Sequence, residues 1–199
     1  MGIRSNTEDN RYRFDQECRI RSIRLAHQLN IKVRLSINFM PNAIYNPNLC
    51  LRTTLEAAKS CGFDTSKIIF EVLEDQKINS PEKLKEVFDV YQSNGFSTAI
   101  DDFGSGYAGL RLLTDLMPNI IKIDMGLVRD IDKTRPKQAA VKGIIATAQE
   151  LDISVIAEGV ESLSEVEWLE EHGIELMQGY FFSKPLFVRL ISPEEIFMV

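Results

Sequence analysis

Short runs of apolar residues alternate along this chain with longer segments of mixed polarity. Apolar runs of this length, bounded by turn residues, are typical of β-strands. Six strands are predicted on this basis, at residues 33–38, 68–73, 97–101, 119–123, 153–158 and 175–178. Strands that alternate with helical segments favour a parallel sheet built from βα units.

The segments between the apolar runs carry helical spacing and residues typical of helix ends. Ser80 and Pro81 suit the start of one helix, and Gly95 suits its end. Ser162 and Glu165 form a possible capping box at the start of another. Four helices are predicted, at residues 12–29, 81–94, 137–151 and 163–172. The apolar stripe predicted for the first helix consists of Phe14, Cys18, Leu25 and Leu29.

The residues at the strand ends decide between two arrangements of βα units. Right-handed crossovers either close the sheet into a barrel or leave it open and doubly wound. An open sheet concentrates its chemistry at one switch point, whereas here nearly every predicted strand ends in a polar or ionisable residue. Such ends suit a barrel, whose strand tops converge on one site. We therefore predict an α/β fold of the TIM-type (β/α) barrel class.

The polar side chains at the strand ends form a chemically coherent set. In chain order they are Asn38, Glu71, Asp101, Asp102, Lys122, Glu158 and Gln178. Carboxylates that cluster in one place disfavour each other's charge unless a cation compensates them. Because the set offers oxygen ligands and neither histidine nor thiolate, it favours Mg²⁺ or Mn²⁺ over zinc. Two such ions, with Asp101 bridging them and Asp102 on the second, would hold a phosphodiester and activate a water molecule.

Each of these residues, taken singly, has an ordinary alternative. An Asp at a strand end often caps a helix or lies in a solvated loop. Asn38 suits a turn before Pro41, and Lys122 suits a surface position with its stem on apolar surface. The metal-site hypothesis therefore depends on six strand ends together rather than on any one residue.

Composition and charge narrow the range of partners and compartments. Lys and Arg number 23 against 29 Asp and Glu, a net charge of −6, and the two signs are mixed along the chain. This mixture argues against DNA, RNA or an anionic membrane bound through bulk charge. Without a signal peptide or an apolar run of ~18 residues, a cytoplasmic protein is expected. The cysteines show no metal-binding spacing and are interpreted as reduced core residues. They are Cys18, Cys50 and Cys61.

Several motifs together resemble those of the EAL-domain phosphodiesterases, which linearise the bacterial messenger cyclic di-GMP. SINF, EVLE, AIDDFGSGYAGL, IKID, AEGVES and QGYFFSKPL occur in the order and approximate spacing of that family, within residues 10–187. NRYRFDQECR and INFMPNA resemble EAL modules attached to blue-light-sensing flavin domains. The resemblance implies cyclic di-GMP as ligand, a two-metal site for Mg²⁺ or Mn²⁺, a homodimer, and a sensory domain or regulatory protein as partner.

Carried over position by position, the resemblance implies a role for each site residue. Lys122 is implied to hold and polarise the attacking water, and Glu158 to complete the arrangement of metal and water. The implied metal ligands are Asn38, Glu71, Asp101, Asp102 and Glu158. The residues implied to position substrate or ligands are Gln178, Glu161 and Asp124. The residues implied to couple the metal site to a dimer interface are Phe103, Gly104, Ser105, Gly106 and Tyr107.

One motif of the family is missing from this sequence. In relatives a Glu-Ala-Leu stretch ends an early strand, and its glutamate binds metal; that position would fall before Met1. A barrel of the family has eight principal strands, so six predict an incomplete barrel with exposed edges. Residues 1–9 are interpreted as a tag or the trace of a truncation, residues 10–187 as the barrel domain, and residues 188–199 as a C-terminal extension.

Two functions follow as hypotheses. The first is metal-dependent hydrolysis of cyclic di-GMP to linear pGpG, with low or absent activity expected because the Glu-Ala-Leu glutamate is missing. The second is a non-catalytic module that binds cyclic di-GMP, or a protein partner at the open barrel edge. A different phosphate-handling barrel would share only the fold, and the DDFG and AEGVE motifs argue against it.

Overall fold

Helices and strands alternate along the chain in the computed structural model, which describes residues 7–44, 46–75, 78, 80–106, 109–187 and 189–191. The strands are β1 (Leu35–Asn38), β2 (Ile68–Leu73), β3 (Ser97–Phe103), β4 (Ile120–Ile123), β5 (Ser154–Glu158) and β6 (Leu176–Gln178). The helices are α1 (Thr7–Gln28), α2 (Pro47–Cys61), α3 (Pro81–Ser93), α4 (Gly109–Leu116), α5 (Met125–Val128), α6 (Arg135–Glu150) and α7 (Leu163–Glu171). Two 3₁₀ turns cover Pro41–Ala43 and Thr65–Lys67.

The strands lie in one sheet in the order β1-β2-β3-β4-β5-β6, as expected for consecutive βα units. The pairings β1 with β2, β3 with β4, β4 with β5, and β5 with β6 are parallel. Asn38 lies opposite Glu71 at the carboxyl ends of β1 and β2. Glu158 lies opposite Gln178 at the ends of β5 and β6. Register alone therefore places two pairs of predicted site residues side by side.

The chain divides into two compact units. The first comprises Met1–Val72 and Gln76–Thr98, and the second comprises Leu73–Asp75 and Ala99–Val199. Helices α1 to α3, strand β1 and most of β2 belong to the first unit. Helices α4 to α7, most of β3, and strands β4 to β6 belong to the second.

Aromatic rings fill much of the core of the first unit. Their centroids lie between 4.7 and 6.4 Å apart, within the usual range for packed aromatic pairs. The buried rings are those of Phe39, Phe70, Phe88, Tyr91 and Phe96. Helix α2 packs against both α1 and α3.

Helix α1 buries a different face from the predicted one. Phe14 is 62% exposed and Leu25 is 37% exposed, so the predicted apolar stripe is wrong. The buried residues of this helix are Asp15, Gln16, Arg19, Ile23 and Ala26. The physical reason is an ion pair between Asp15 Oδ2 and Arg19 Nη2, 2.7 Å apart, with the Arg19 guanidinium among the aromatic rings. A pattern of apolar residues cannot reveal a face that is buried through paired charges.

The second unit has a mainly aliphatic core around α6, α7 and β5. The capping box predicted at the start of α7 is confirmed: Ser162 Oγ accepts from the N–H of Glu165, and the Glu165 carboxylate accepts from the N–H of Ser162. Gly173, at φ 84°, lies just beyond the end of that helix and suits the left-handed conformation.

The predicted elements and the structure differ in a few other places. Strand β3 continues two residues past its predicted end, to Phe103, and helices α2, α4 and α5 were not singled out from the sequence. All three cysteine thiols are free, but only Cys50 is buried, so the core position predicted for Cys18 and Cys61 is wrong. Among the described residues, no helix is both long and apolar enough to cross a membrane.

Candidate metal and active site

Strand β3 places two adjacent aspartates at one site because its backbone is irregular near its carboxyl end. Side chains of a regular strand alternate between its two faces, but Asp102 has φ 55°, and the pairing of β3 with β4 shifts between Ile100 and Phe103. As a result, Asp101, Asp102 and Glu158 each offer a carboxylate oxygen within 4.8 Å of the others. The backbone irregularity therefore gathers three carboxylates at the ends of β3 and β5.

Lys122 lies between two of these carboxylates. Its Nζ is 2.8 Å from Asp101 Oδ1 and 2.7 Å from Glu158 Oε1, and only 5% of the residue is exposed. The alternative of a surface lysine is therefore wrong. Strand β4 holds the ammonium group where it compensates part of the negative charge, because buried ions need a partner of opposite sign.

Glu158 is the side chain whose proton affinity the site changes most clearly. Burial raises the pKa of Glu158 to about 7; the hydrogen bond and charge of Lys122 oppose this rise, and the charge of Asp101 adds to it. Gln178 Nε2 donates to Glu158 Oε1 at 2.8 Å and so orients the carboxyl group. Near neutral pH the group can both hold and release a proton.

The charge balance of this cluster suits a divalent cation. Three carboxylates face one ammonium group, and burial together with the charges of Asp101 and Asp124 raises the pKa of Asp102. Burial is the largest cause of both raised carboxyl pKa values, and a bound cation would offset the cost of burying negative charge there. Carboxylate oxygens without histidine or thiolate are the ligands that hard cations such as Mg²⁺ and Mn²⁺ prefer. The residues present therefore fit the predicted kind of metal.

Asn38 and Glu71 are neighbours in the first unit. They lie opposite each other in the β1–β2 register, and the N–H of Phe39 donates to the carbonyl oxygen of Glu71 at 3.0 Å. Glu71 is buried, whereas Asn38 is exposed. The two predicted ligands thus share one end of one strand pair.

Glu74 is a residue of this site that the sequence reasoning missed. It is buried, its Oε2 accepts from the N–H of Gly104 at 2.6 Å, and its own N–H donates to the carbonyl oxygen of Asp101 at 3.0 Å. A Cβ added at Gly106 would lie 3.0 Å from Glu74 Oε1. Glu74 therefore fixes the start of the loop after β3. The available signal was the second glutamate of EVLE, which also closes an apolar run.

The predicted coupling loop begins later than expected. Phe103 is the last residue of β3 and is buried, so it belongs to the strand rather than to the loop. Gly104 has φ 98°, a conformation that favours glycine, and the N–H of Ser105 donates to the carbonyl oxygen of Asp102 at 3.1 Å. Tyr107 lies outside the described residues.

Asp124 and Glu161 form hydrogen bonds or ion pairs with neighbouring residues. Asp124 Oδ1 accepts from the N–H of Gly126 at 2.9 Å and caps α5. Glu161 forms a bidentate pair with Arg129. The Glu165 carboxylate accepts from the N–H of Glu161 at 2.8 Å and so holds the loop after β5. Both predicted residues are therefore fixed in position by their neighbours.

Sequence comparison identifies what this arrangement is similar to. The sequence model of the EAL domain matches residues 10–185. The chain is similar to the blue light- and temperature-regulated antirepressor BluF of Escherichia coli (strain K12), with 34% identity over 174 residues, which are 87% of this chain and 43% of BluF. The chain thus spans less than half the length of that relative. Further curated relatives from E. coli and Pseudomonas aeruginosa are named cyclic di-GMP phosphodiesterases.

Solved structures show the same similarity in three dimensions. A standalone versatile EAL protein from Vibrio cholerae O395, in its c-di-GMP-bound form, is 51% identical with a TM-score of 0.89, over 95% of this chain and 79% of that one. Klebsiella pneumoniae BlrP1, in a complex with manganese and cy-diGMP, is 38% identical with a TM-score of 0.84, over 90% of this chain and 46% of that one. These similarities confirm the predicted α/β fold of the TIM-type barrel class, with six strands among the described residues.

Proposed function

Because the chain belongs to the EAL-domain family of cyclic di-GMP phosphodiesterases, we propose that its carboxylate cluster serves the metal-dependent hydrolysis of cyclic di-GMP to linear pGpG. The observation that carries the proposal is the cluster of Asp101, Asp102 and Glu158, with the Lys122 ammonium between two of its members. The family relationship is the basis for naming the substrate, and the carboxylate cluster is the basis for proposing a metal-dependent reaction.

The proposed reaction is attack of water on one phosphodiester. A new P–O bond forms to the water oxygen, and the bond from phosphorus to one ribose 3′ oxygen breaks. The water loses one proton, and the leaving 3′ oxygen gains one. The product is a linear dinucleotide with a 5′ phosphate and a free 3′ hydroxyl group, so atoms and charge balance without any redox partner.

Divalent cations such as Mn²⁺ or Mg²⁺ supply a more acidic water and neutralise charge on the phosphate when they are bound. Asp101, Asp102 and Glu158 would hold them, together with Asn38 and Glu71, which the family resemblance adds. Support for a divalent cation comes from the manganese complex of the related BlrP1.

The side chains around the cluster take defined parts in the proposed chemistry. Lys122 donates to Asp101 and Glu158, and we propose that it orients the attacking water. Glu158, whose pKa burial raises to about 7 in the metal-free chain, is proposed to complete the arrangement of metal and water. Gln178 donates to Glu158 and limits the rotation of its carboxyl group. We propose positioning roles for Asp124 and Glu161 on the same basis.

A second function has a specific observation in its favour. The 199 residues contain no Glu-Ala-Leu stretch, and one relative, BluF, is named an antirepressor rather than a phosphodiesterase. The alternative is a non-catalytic module that binds cyclic di-GMP or a protein. In either case we propose little hydrolysis by this polypeptide alone, since metal sites that lose a supporting group typically lose about 10–100-fold in affinity or activity.

The proposal extends to assembly and location. We propose that residues 10–187 act as the barrel domain, with residues 1–9 and 188–199 outside it. Gly104, Ser105 and Gly106, together with Tyr107 outside the described residues, would couple the site to a second copy of the chain. A blue-light flavin domain or a regulatory protein is the proposed source of the input signal, and the cytoplasm is the proposed compartment.

The experiment compares this chain with the same chain joined to an upstream strand that carries Glu-Ala-Leu, using cyclic di-GMP, Mn²⁺ and chromatographic detection of pGpG. We expect the extended form to hydrolyse the substrate and Asp101→Asn to lower its kcat/KM by more than about 100-fold. Asp115→Asn, at an exposed surface residue of α4, is the matched control and is expected to have no effect. No hydrolysis by the extended form would contradict the enzyme proposal. Calorimetric binding of cyclic di-GMP without hydrolysis would support the alternative.

A further inference from the structure

The first unit contains a buried ion pair that the proposed reaction does not use. Asp15 and Arg19, one turn apart on α1, are 4% and 0% exposed, and Asp15 Oδ2 lies 2.7 Å from Arg19 Nη2. Arg19 Nη1 also donates to the hydroxyl oxygen of Tyr91 at 2.6 Å. The guanidinium carbon lies 5.1 Å from the ring centroid of Phe70 and 5.5 Å from that of Phe39. Such a pair gives little net stability over apolar residues of similar volume, so its presence calls for another explanation.

The second oxygen of Asp15 reaches the backbone that follows β1. Asp15 Oδ1 accepts from the N–H of Met40 at 2.9 Å, and the two residues are 25 positions apart in sequence. Met40 lies two residues after Asn38, the last residue of β1 and a proposed metal ligand. The carboxylate of α1 therefore contacts the chain immediately beyond a ligand.

The segment after Asn38 has few backbone donors with which to fix its path. The N–H of Phe39 donates to a carbonyl oxygen of β2 at 3.0 Å, and the N–H of Met40 donates to Asp15. Pro41 follows and has no N–H. The 3₁₀ turn that begins there has no side-chain cap of its own at Met40. Asp15 thus supplies one of the hydrogen bonds that hold residues 39 and 40, in addition to the packing of the Phe39 ring against Phe70 and Tyr91.

We propose that Asp15 is a positioning residue for Asn38: its carboxylate holds the Met40 N–H and thereby fixes the backbone that presents the Asn38 side chain to a divalent cation. Arg19 and Tyr91 hold the Asp15 carboxylate in its orientation. The inference rests on the proposed function, because it takes Asn38 as a metal ligand. It adds a contact from helix α1 to the backbone that carries this proposed ligand.

Two double variants separate this role from simple packing. Asp15→Asn with Arg19→Met and Asp15→Leu with Arg19→Met both remove the buried charges and the partner of the Tyr91 hydroxyl group. They differ in one respect, because Asn keeps an oxygen that can accept from the Met40 N–H and Leu does not. Met suits the position among aromatic rings. Replacing a buried ion pair by neutral residues of similar volume is often tolerated, so both chains are expected to fold.

The measurement is Mn²⁺ binding to the full chain, followed by the electron paramagnetic resonance signal of free Mn²⁺. We expect the Leu-containing variant to bind Mn²⁺ about tenfold more weakly than the Asn-containing one, the size of effect seen when a supporting contact of a metal ligand is lost. Urea unfolding is expected to show the Leu-containing variant at least as stable, since Asn buries an amide donor without a partner. Weaker binding without lower stability is a result that a purely structural role would not give.

Hydrogen exchange of the Met40 amide gives a test that needs no metal. We expect faster exchange in the Leu-containing variant than in the Asn-containing one. Equal Mn²⁺ affinities of the two variants, with binding by the unsubstituted chain, would overturn the positioning role alone. An Asn38→Ala variant that binds Mn²⁺ as tightly as the unsubstituted chain would overturn the role of Asn38 as ligand and the inference with it. No Mn²⁺ binding by the unsubstituted chain, even when it is joined to the upstream strand that carries Glu-Ala-Leu, would overturn the proposed metal site itself.

Discussion

The raised pKa of Glu158 makes the stability of the metal-free protein depend on pH in a defined direction. The pKa is raised from 4.5 to about 7, chiefly by burial. Below pH 4.5 the carboxyl group is protonated in both the folded and the unfolded chain. Between the two values the unfolded chain releases the proton and the folded chain keeps it. The free energy of unfolding therefore falls as pH rises through this window, and the loss is complete above about pH 7.

The size of this effect follows from the same two values. One pH unit is worth about 1.4 kcal/mol, so the interval from 4.5 to about 7 corresponds to roughly 3 kcal/mol. Only 9% of Glu158 is exposed, so screening by solvent leaves most of this difference in place. Glu158→Gln removes the ionisation and keeps the shape. The variant is expected to gain roughly 3 kcal/mol relative to the unsubstituted chain between pH 4.5 and neutral pH.

The assay is urea denaturation of both chains in EDTA across this pH range. The difference between the two unfolding free energies is the quantity to follow, because titrating groups distant from position 158 contribute equally to both chains. The control is Glu170→Gln, the same substitution at an exposed residue of α7. A difference that stays constant across the range would refute the assignment of the raised pKa to Glu158.

Two further predictions concern the loop after β5. Glu165→Ala should lower the free energy of unfolding by roughly 3 kcal/mol, since several backbone N–H groups lose a buried acceptor. Ser162→Ala should lower it by about 1 kcal/mol, the usual value of a helix cap, and equal urea midpoints for the two variants would contradict this. Gly179→Ala places a Cβ 2.1 Å from the carbonyl oxygen of Val160, a backbone atom that cannot rotate away. The free energy of unfolding is therefore expected to fall by at least about 2 kcal/mol. An unchanged urea midpoint would show that the backbone moves to make room for the methyl group.

Strands and strand ends were the part of the fold most accessible from sequence. The run IIFEVL predicted β2 with the bounds that the structure has, because a strand buried on both faces reads as continuous apolar sequence. The carboxylates of Asp101 and Glu158 followed from the rule that parallel strands bring their carboxyl ends together. Chemistry carried by strand ends was therefore predictable in kind before its geometry was known.

Features that depend on tertiary contacts were not accessible in this way. The buried face of α1 is set by the Asp15–Arg19 pair and its aromatic surroundings, which apolar periodicity does not register. Glu74 acquires its role only because the N–H of Gly104 lies 2.6 Å from its carboxylate across the turn after β3. In both cases a charged residue is buried by partners distant in sequence, and only the folded chain shows the partner.

Two requirements, one chemical and one conformational, limit which residues can occupy position 102. The carboxylate of Asp102 belongs to the cluster with Asp101 and Glu158, and the residue's φ of 55° is one that Asp, Asn and Gly adopt far more readily than other residues. A descendant of this protein released from selection for metal binding would still need that backbone to reach Phe103. Drift at position 102 should therefore lead to Asn or Gly, not to Val or Ile. A related chain with Gly at this position would lack one carboxylate of the cluster and keep the same backbone path.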